Sequence, residues 1–158
     1  MKQKRILGAT LVAATLLSVT ATSFAALNEV SARQIAEKQV PAGAVYIAAK
    51  DDGPEYEVEF QIATERFTVE INKQTEAVTE IKTKVLDNPG SRIVKLSEAD
   101  AQNIVRSEFP DAAIHSVKLE TDQVYKKFEV TFTAAGIRSG EIEINPETGL
   151  IIERDLDY

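Results

Sequence analysis

The chain has 158 residues with no cysteine, a single histidine and a formal net charge of −7 at pH 7. The absence of cysteine excludes disulfides, thiol catalysis and zinc–thiolate sites, and one histidine alone is a poor basis for a zinc or copper site. The acidic balance argues against binding to nucleic acid or to an anionic membrane through charge. We therefore expect no nucleic-acid partner, no metal and no cofactor.

The first 25 residues follow the three-part pattern of a secretory signal peptide. Three positive charges stand within the first five residues, residues 6–19 are predominantly apolar, and Ser23 and Ala25 place small side chains before the expected cleavage point. The alternative is a transmembrane anchor, but a bilayer span needs roughly 20 apolar residues and this stretch is shorter. We expect export to the periplasm, cell envelope or medium, with no stable membrane anchor after cleavage.

A capped helix is predicted soon after the signal peptide. Ser31 has the residue type of an N-cap, Gln34 would complete a capping box, and Val30 and Ile35 have the spacing of a hydrophobic staple. Apolar residues then recur with a helical period as far as Pro41, which disfavours helical conformation in the residue before it. The sequence therefore predicts a helix that is capped by Ser31 and ends before Pro41.

Four strands are predicted after this helix, over residues 45–50, 56–62, 67–72 and 78–85. Residues 56–62 alternate apolar and polar side chains without interruption, which is typical of a strand with one buried and one hydrated face. The short polar connection at 51–54 and the turn at 72–76 favour hairpins. The apolar side of the helix can pack on the apolar face of such an antiparallel meander.

The same order of elements recurs later in the chain. Ser97 and Asp100 predict a second capping box, 66 residues after the first predicted cap, and the second helix ends before Pro110. The apolar stripe has the same spacing in both copies, with Ala32, Ile35, Ala36 and Val40 in the first and Ala101, Ile104, Val105 and Phe109 in the second. Strands are again predicted, over residues 114–120, 128–132, 141–145 and 150–154.

These repeats predict an α+β fold of two repeated units, each with one N-terminal helix packed on a four-stranded antiparallel meander. The predicted division is a signal peptide at 1–25, a first unit at 26–86, a linker at 87–95 and a second unit at 96–158. Units of about 60 residues are marginal for an independent core, so we expect the two units to pack together. Ile93 and Val94 are one possible contact, and the two sheets are the other.

The ordered motifs resemble those of the PepSY domain family. The matching stretches are Tyr-Glu-Val-Glu-Phe at 56–60, its counterpart at 128–132, and the hairpin Asn-Pro-Glu-Thr-Gly-Leu-Ile at 145–151. The first copy departs from the family pattern at Glu76, where glycine is usual. Glycine tolerates a positive φ there, so the departure weakens the prediction of a turn in the first copy.

The resemblance implies a secreted or envelope protein without catalytic residues. In the propeptides of thermolysin-like proteases the domain helps to restrain the peptidase, and inhibition of envelope peptidases is the usual proposal for stand-alone copies. The chain contains no His-Glu-x-x-His motif and no protease domain. The resemblance therefore implies a protein-binding role, with a peptidase as one partner, and transfers no site residue.

The single histidine is a candidate acid–base residue, but no nucleophile-elbow sequence accompanies it. His115 has the same strand parity as Val117 and Leu119, so we expect it at the start of a strand near the edge of the core. A structural role is favoured over catalysis. We expect no enzyme.

Two groups of acidic residues are candidate binding sites. Asp51, Asp52 and Glu55 could hold a cation in a loop, although their spacing is not that of an EF-hand and a solvated turn is favoured. Three glutamates, Glu57, Glu59 and Glu70, are predicted on the hydrated face of the first sheet, where they could attract a basic partner. The competing interpretation is a solvated face without a binding role.

Two functions follow from these patterns. The first is an exported, non-catalytic binding module that inhibits or modulates an envelope or secreted peptidase, or another envelope protein. An exposed strand edge that pairs with an extended segment of the partner is one route. The alternative is an envelope sensor of a cation or small ligand, favoured by the acidic loop and by a formal charge that changes from −7 to −10 when the three positive charges of the signal peptide are removed.

Overall fold

The computed structural model describes residues 27–158, so the predicted signal peptide and its cleavage point lie outside the described residues. Two helices and eight strands follow in chain order: α1 (Glu29–Ala36), β1 (Val45–Asp52), β2 (Glu55–Ile62), β3 (Glu65–Asn72), β4 (Val78–Val85), α2 (Glu98–Glu108), β5 (Ala113–Asp122), β6 (Tyr125–Ala134), β7 (Ile137–Ile144) and β8 (Ile151–Asp157). Neither helix of this region is long and apolar enough to cross a membrane.

All eight strands belong to one sheet, in the order β1-β2-β3-β4-β8-β7-β6-β5. Every neighbouring pair is antiparallel. The two halves of the chain join where β4 pairs with β8, from Glu80 opposite Asp157 to Lys84 opposite Glu153. The second half therefore runs outward from the junction as a reversed copy of the first.

Of the two contacts between the halves expected from the sequence, the structure contains the one between the sheets. Ile93 and Val94 do not form the junction, since 53% and 38% of their surfaces are exposed. The halves meet through the hydrogen-bonded strands β4 and β8 instead. At the centre of this junction, Lys82 lies opposite Asp155, and these two residues occupy equivalent positions in the two halves.

Both helices lie on the same face of the sheet. Residues directly opposite each other in adjacent strands share a face, and one such line joins Val69, Ile81, Leu156, Gly140 and Phe132 across β3, β4, β8, β7 and β6. Val69 belongs to the core beneath α1, and Leu156 and Phe132 belong to the core beneath α2. The opposite face of the sheet, called the open face below, carries no helix from residues 27–158.

Each half has its own hydrophobic core. Beneath α1 the fully buried residues include Ala32, Ala36, Val58, Val69 and Ile71, and beneath α2 they include Ala101, Val105, Val130, Ile142 and Ile144. Two alanine or valine side chains on each helix face the sheet, so the helix backbone can approach it closely. Each fully buried large apolar side chain contributes about 1.5–3 kcal/mol relative to an exposed one.

The predicted cap of α1 is wrong, whereas that of α2 is confirmed. Asn28 is the N-cap of α1, and its side chain accepts a hydrogen bond of 3.0 Å from the backbone N–H of Ser31. In α2, Ser97 and Asp100 form the predicted capping box. Asn28 and Ser97 are 69 residues apart, the same separation as Pro41 and Pro110, rather than the 66 residues between the two predicted caps.

The turn at residues 72–76 forms despite Glu76. Glu76 adopts a φ of +57°, close to the +74° of Gly149 at the equivalent position. Asn72 and Asn145 begin the two turns, and each side-chain oxygen accepts hydrogen bonds from the backbone N–H groups two and three residues later. The asparagine network therefore holds the turn in the first half, where a residue with a β-carbon occupies a conformation that favours glycine.

The segment between the halves is docked against the second half. Ser91 and Lys126 exchange two backbone hydrogen bonds, of 3.0 and 2.8 Å. Gly90 has a φ of +106°, and a β-carbon there would lie 2.3 Å from the backbone oxygen of Lys126. Asn88 also accepts a 2.9 Å hydrogen bond from the buried side chain of Asn145. Glycine is required at position 90 by both its conformation and this close approach.

Candidate functional site

A row of four carboxylates crosses the open face at the centre of the sheet. Glu57, Glu70, Glu80 and Asp157 lie directly opposite one another on β2, β3, β4 and β8. Directly opposite β-carbons are about 4.5–5.5 Å apart, and like charges in such positions destabilise the sheet. We refer to these four residues as the acidic row.

The acidic row perturbs the ionisation of its members. Burial raises the pKa of Glu70 to about 7, with further contributions from the negative charges of Glu80, Glu55 and Glu57 and from a hydrogen bond with Glu55. Burial also raises the pKa of Glu80, and the negative charge of Asp155 adds to the effect. A carboxyl group at the centre of the row therefore holds its proton into the neutral range.

The second half contains the equivalent row, in which lysines neutralise the charge. We call Glu129, Glu143 and Glu153 the paired row, since they lie opposite one another on β6, β7 and β8. Lys118 contacts Glu129 at 3.2 Å, Lys84 contacts Glu153 at 2.7 Å, and Lys127 forms an ion pair with Glu143. All three glutamates of the paired row have a lysine partner, whereas in the acidic row only Glu80 has one, Lys82 at 3.6 Å, among residues 27–158.

Two charge differences explain the contrast between the rows. The position of Lys127 in the second half is occupied by Glu55 in the first, and Glu55 raises the pKa of Glu70 where Lys127 forms an ion pair with Glu143. Across the junction, the paired row ends on Lys84, whereas the acidic row ends on Asp157. These two differences leave the acidic row itself more negative than the paired row.

The three glutamates predicted from the sequence all lie on the open face. Glu57 and Glu70 are direct neighbours, and Glu59 lies on the same strand as Glu57, opposite Thr68. The sequence patterns did not identify Glu80 and Asp157 as their neighbours. Asp157 follows the predicted last strand, which was expected to end at residue 154, and only the pairing of β4 with β8 brings it beside Glu80.

The predicted acidic loop is not assembled as a cation site. Lys73 forms an ion pair with Asp51 and donates a 2.7 Å hydrogen bond to the backbone oxygen of Gly53. The hydrogen bond from Lys73 lowers the pKa of Asp51. Glu55 lies on the open face beside Glu70. No group of three or more potential metal ligands occurs within residues 27–158.

His115 is not near the core, which corrects the prediction from strand parity. It is the extra residue of a β-bulge between Ile114 and Ser116, so it does not share the orientation of Val117. The side chain is exposed, and its Nε2 atom lies 3.1 Å from the hydroxyl of Thr133. A bulge adds one residue to a strand, and a simple alternation of apolar and polar residues does not reveal it.

The outer strands β1 and β5 form the two edges of the sheet. An edge strand presents backbone N–H and C=O groups that can pair with another chain. On β1, Val45 and Ile47 are 64% and 49% exposed, and residues 45–49 carry no charge. The equivalent stretch of β5 contains His115. The two edges therefore differ in chemistry although they are equivalent in the fold.

Comparison with solved structures finds two proteins of low identity. One is a candidate lipoprotein from Clostridium difficile 630, with 18% identity, a TM-score of 0.33, and coverage of 81% of this chain and 91% of the other. The second is a candidate periplasmic protein from Bacteroides eggerthii, with 15% identity, a TM-score of 0.32, and coverage of 79% and 86%. These TM-scores support no conclusion about function.

No curated protein matches the chain. The family described as "Peptidase propeptide and YPEB domain" matches it twice, over residues 26–91 and 95–155. The two matched ranges correspond to the two halves of the sheet, each with its own helix. The chain therefore belongs to the PepSY family and contains two copies of its domain.

Proposed function

We propose that the protein is an exported, non-catalytic binding module that modulates a secreted or envelope peptidase, or another envelope protein. The observation that carries this proposal is a broad sheet face that no helix of the described region covers, bounded by two outer strands and crossed by a row of carboxylates. An accessible strand edge supplies affinity through backbone hydrogen bonds, and nearby charges select the partner.

The non-catalytic part of the proposal is supported by the surroundings of the titratable groups. His115 lies on an exposed bulge, and within the described residues its side-chain partner is the hydroxyl of Thr133 rather than a carboxylate. A general base that activates a nucleophile usually has a third group that orients it. The carboxylates of the acidic row face one another, which suits electrostatic attraction of a cationic partner.

A peptidase is the first partner to test, because the family is described by its occurrence in peptidase propeptides. The chain from residue 26 onward would be immobilised and exposed to an envelope extract of the source cells. Captured proteins would be identified by mass spectrometry. Each captured peptidase would then be purified and assayed with increasing amounts of the free chain.

The repeat supplies a matched control for this experiment. The triple variant Glu57→Gln, Glu70→Gln and Glu80→Gln replaces three carboxyl groups of the acidic row with neutral amides. The variant Glu129→Gln, Glu143→Gln and Glu153→Gln makes the equivalent change in the paired row. We expect the first variant to weaken inhibition and the second to preserve it. Failure of the unmodified chain both to capture a partner and to alter peptidase activity would refute the proposal.

The alternative of a cation sensor has less support, because the ammonium group of Lys73 already pairs with Asp51 in the predicted loop. A cation that binds only the folded chain would raise its melting temperature. Thermal melts with and without millimolar Ca²⁺ test this alternative. An unchanged midpoint would remove it, whereas a higher midpoint that Asp51→Asn abolishes would restore it.

A further inference from the structure

We infer that β1, and not β5, is the edge at which a partner docks, and that the docked segment is an extended strand in which apolar residues alternate with lysine or arginine. The inference rests on the proposed binding function and specifies its site and the chemistry of its partner. It combines the unequal protection of the two edges with the distribution of charge beside them.

The equivalent positions of the two edges differ in exposed apolar surface. Each edge strand has a bulge near its start, with Ile47 in β1 and His115 in β5 as the extra residue. Two residues earlier, β1 has Val45 and β5 has Ala113. Natural edge strands are often protected from pairing by charged side chains. The first halves of both edges lack Asp, Glu, Lys and Arg, but only that of β1 exposes two large apolar side chains.

The charge beside β1 favours basic side chains in the added strand. On the open face, Ala48 lies opposite Glu59, and Lys50 lies opposite Glu57. An added strand would lie about 4.8 Å outside β1. The side chain of Ala48 is a single methyl group, so a lysine or arginine of the added strand can extend over it towards the carboxylate of Glu59. Glu59 makes no ion pair within residues 27–158.

The corresponding surface beside β5 has different chemistry. Ser116 lies opposite Thr131, where β1 and β2 have Ala48 and Glu59. The next glutamate along, Glu129, already pairs with Lys118 at 3.2 Å. At this level of the edge a basic segment therefore gains a carboxylate partner beside β1 that is absent beside β5, where the nearest open-face carboxylate of the edge strand is Glu120, opposite Lys127. A second copy of this chain is a poorer occupant, because its net charge of −7 would bring like charges together.

The test uses a defined probe, a labelled synthetic peptide in which valine and lysine alternate over about eight residues, the length of an ordinary strand. A second peptide has glutamate in place of lysine. The double variant Val45→Lys and Ile47→Lys protects β1, and Ala113→Lys with His115→Lys makes the equivalent change in β5. All four positions are exposed, and thermal melts would establish that both variants fold.

We expect the lysine peptide to bind at least about tenfold more tightly than the glutamate peptide, a difference of about 1.4 kcal/mol. The β1 variant should lose about tenfold in affinity, and the β5 variant should stay within about twofold. Glu59→Gln should reduce the preference for lysine. Hydrogen exchange should show slower exchange of β1 amides, and no change in β5, when the lysine peptide binds.

Equal losses in the two variants, protection of β5, or no preference between the peptides would overturn the inference. Self-association abolished by the β1 variant, without peptide binding, would assign this edge to a second copy and would also overturn it. If the β1 variant captures and inhibits a peptidase as well as the unmodified chain does, the inference fails while the proposed function stands. If the peptide binds as expected but no protein partner is captured, the proposed function fails alone.

Discussion

Glu76 and Gly149 show that a residue with a β-carbon can occupy a backbone conformation that favours glycine. Both have a positive φ at the end of equivalent turns, yet only one is glycine. A non-glycine residue in this conformation is destabilised by about 1–2 kcal/mol, part of which glycine loses again through its greater freedom in the unfolded chain. A substitution at position 76 can therefore raise the stability of the protein without changing any buried contact.

The variant Glu76→Gly should stabilise the protein by about 0.5–1 kcal/mol, measured as a higher midpoint in urea denaturation. Gly149→Ala is the opposing control and should destabilise, because a β-carbon there would lie 3.3 Å from Ile104 Cδ1 in a left-handed backbone. A lower midpoint for Glu76→Gly would mean that its side chain makes a stabilising interaction outweighing the strain.

Glu70 should make stability depend on pH in the neutral range. Its pKa is raised to about 7 in the folded chain from an ordinary value of 4.5, so the folded state holds a proton that the unfolded state has released between these values. Stability should therefore fall as pH rises from 4.5 to about 7, since the unfolded state binds fewer protons there.

The variant Glu70→Gln should be more stable than the unmodified chain at pH 8, and this advantage should decrease to a small constant difference below pH 4.5. Urea denaturation at several pH values measures it, and the subtraction removes the shared contributions of other groups. Glu143→Gln, which breaks the ion pair with Lys127, is the control and should not stabilise the protein at pH 8. A pH-independent effect of Glu70→Gln would contradict the expected titration.

Among the elements, helix α1 shows where a local pattern was ambiguous. Asn28 and Ser31 are both good N-cap residues, and the spacing of Val30 and Ile35 fitted a staple for the later one. Tertiary packing selects the earlier cap, because Leu27 precedes it and is buried in the core. The presence of the helix and its buried face were predictable, whereas its first residue depended on a contact outside the helix.

The variant Asn28→Ala should destabilise the protein by about 1 kcal/mol, because it removes the acceptor for an N–H group at the helix start. Ser31→Ala should change stability by less than about 0.5 kcal/mol. Ser31 contributes its backbone N–H to the cap, and the substitution leaves that group in place. Chemical denaturation of both variants distinguishes the caps. A larger loss for Ser31→Ala would restore the capping box predicted from the sequence.

Some features of the strands were likewise predictable from local sequence, whereas others depend on contacts with distant residues. Alternation located all eight strands within a few residues, and it placed Glu57, Glu59 and Glu70 on the hydrated face. It did not reveal the bulge at His115. The end of β8 was also missed: residues 155–157 pair both with β7 of the same half and with β4 of the other half, and nothing local to the last strand indicates the second partner.

At the scale of the whole molecule, the junction between the halves joins their strands into one sheet, although each half has its own core. Ile81 and Leu156 lie opposite each other in β4 and β8, and each packs on the core of its own half. A perturbation at this position therefore acts on both halves. The sequence predicted two similar units, each with its own helix and strands. Nothing in the repeat indicated that the last strands of the two units would pair.

The variant Leu156→Ala should destabilise the protein by about 2–4 kcal/mol, the usual loss for a buried leucine. Because the junction couples the halves, amides of β2 and β6 should lose hydrogen-exchange protection together. Val69→Ala in the first core serves as a comparison at a distance from β8. Loss of protection in β6 with unchanged protection in β2 would show that the halves unfold independently.

The pair at the centre of the junction has a consequence for the origin of the double unit. In a twofold homodimer built from single units through this strand, the residue on the symmetry axis would face its own copy. A lysine would then meet a lysine, and an aspartate an aspartate. Fusion of two units into one polypeptide frees the two positions to diverge, and here Lys82 faces Asp155 at 2.5 Å. The ion pair is one that an ancestral dimer of identical chains could not have formed.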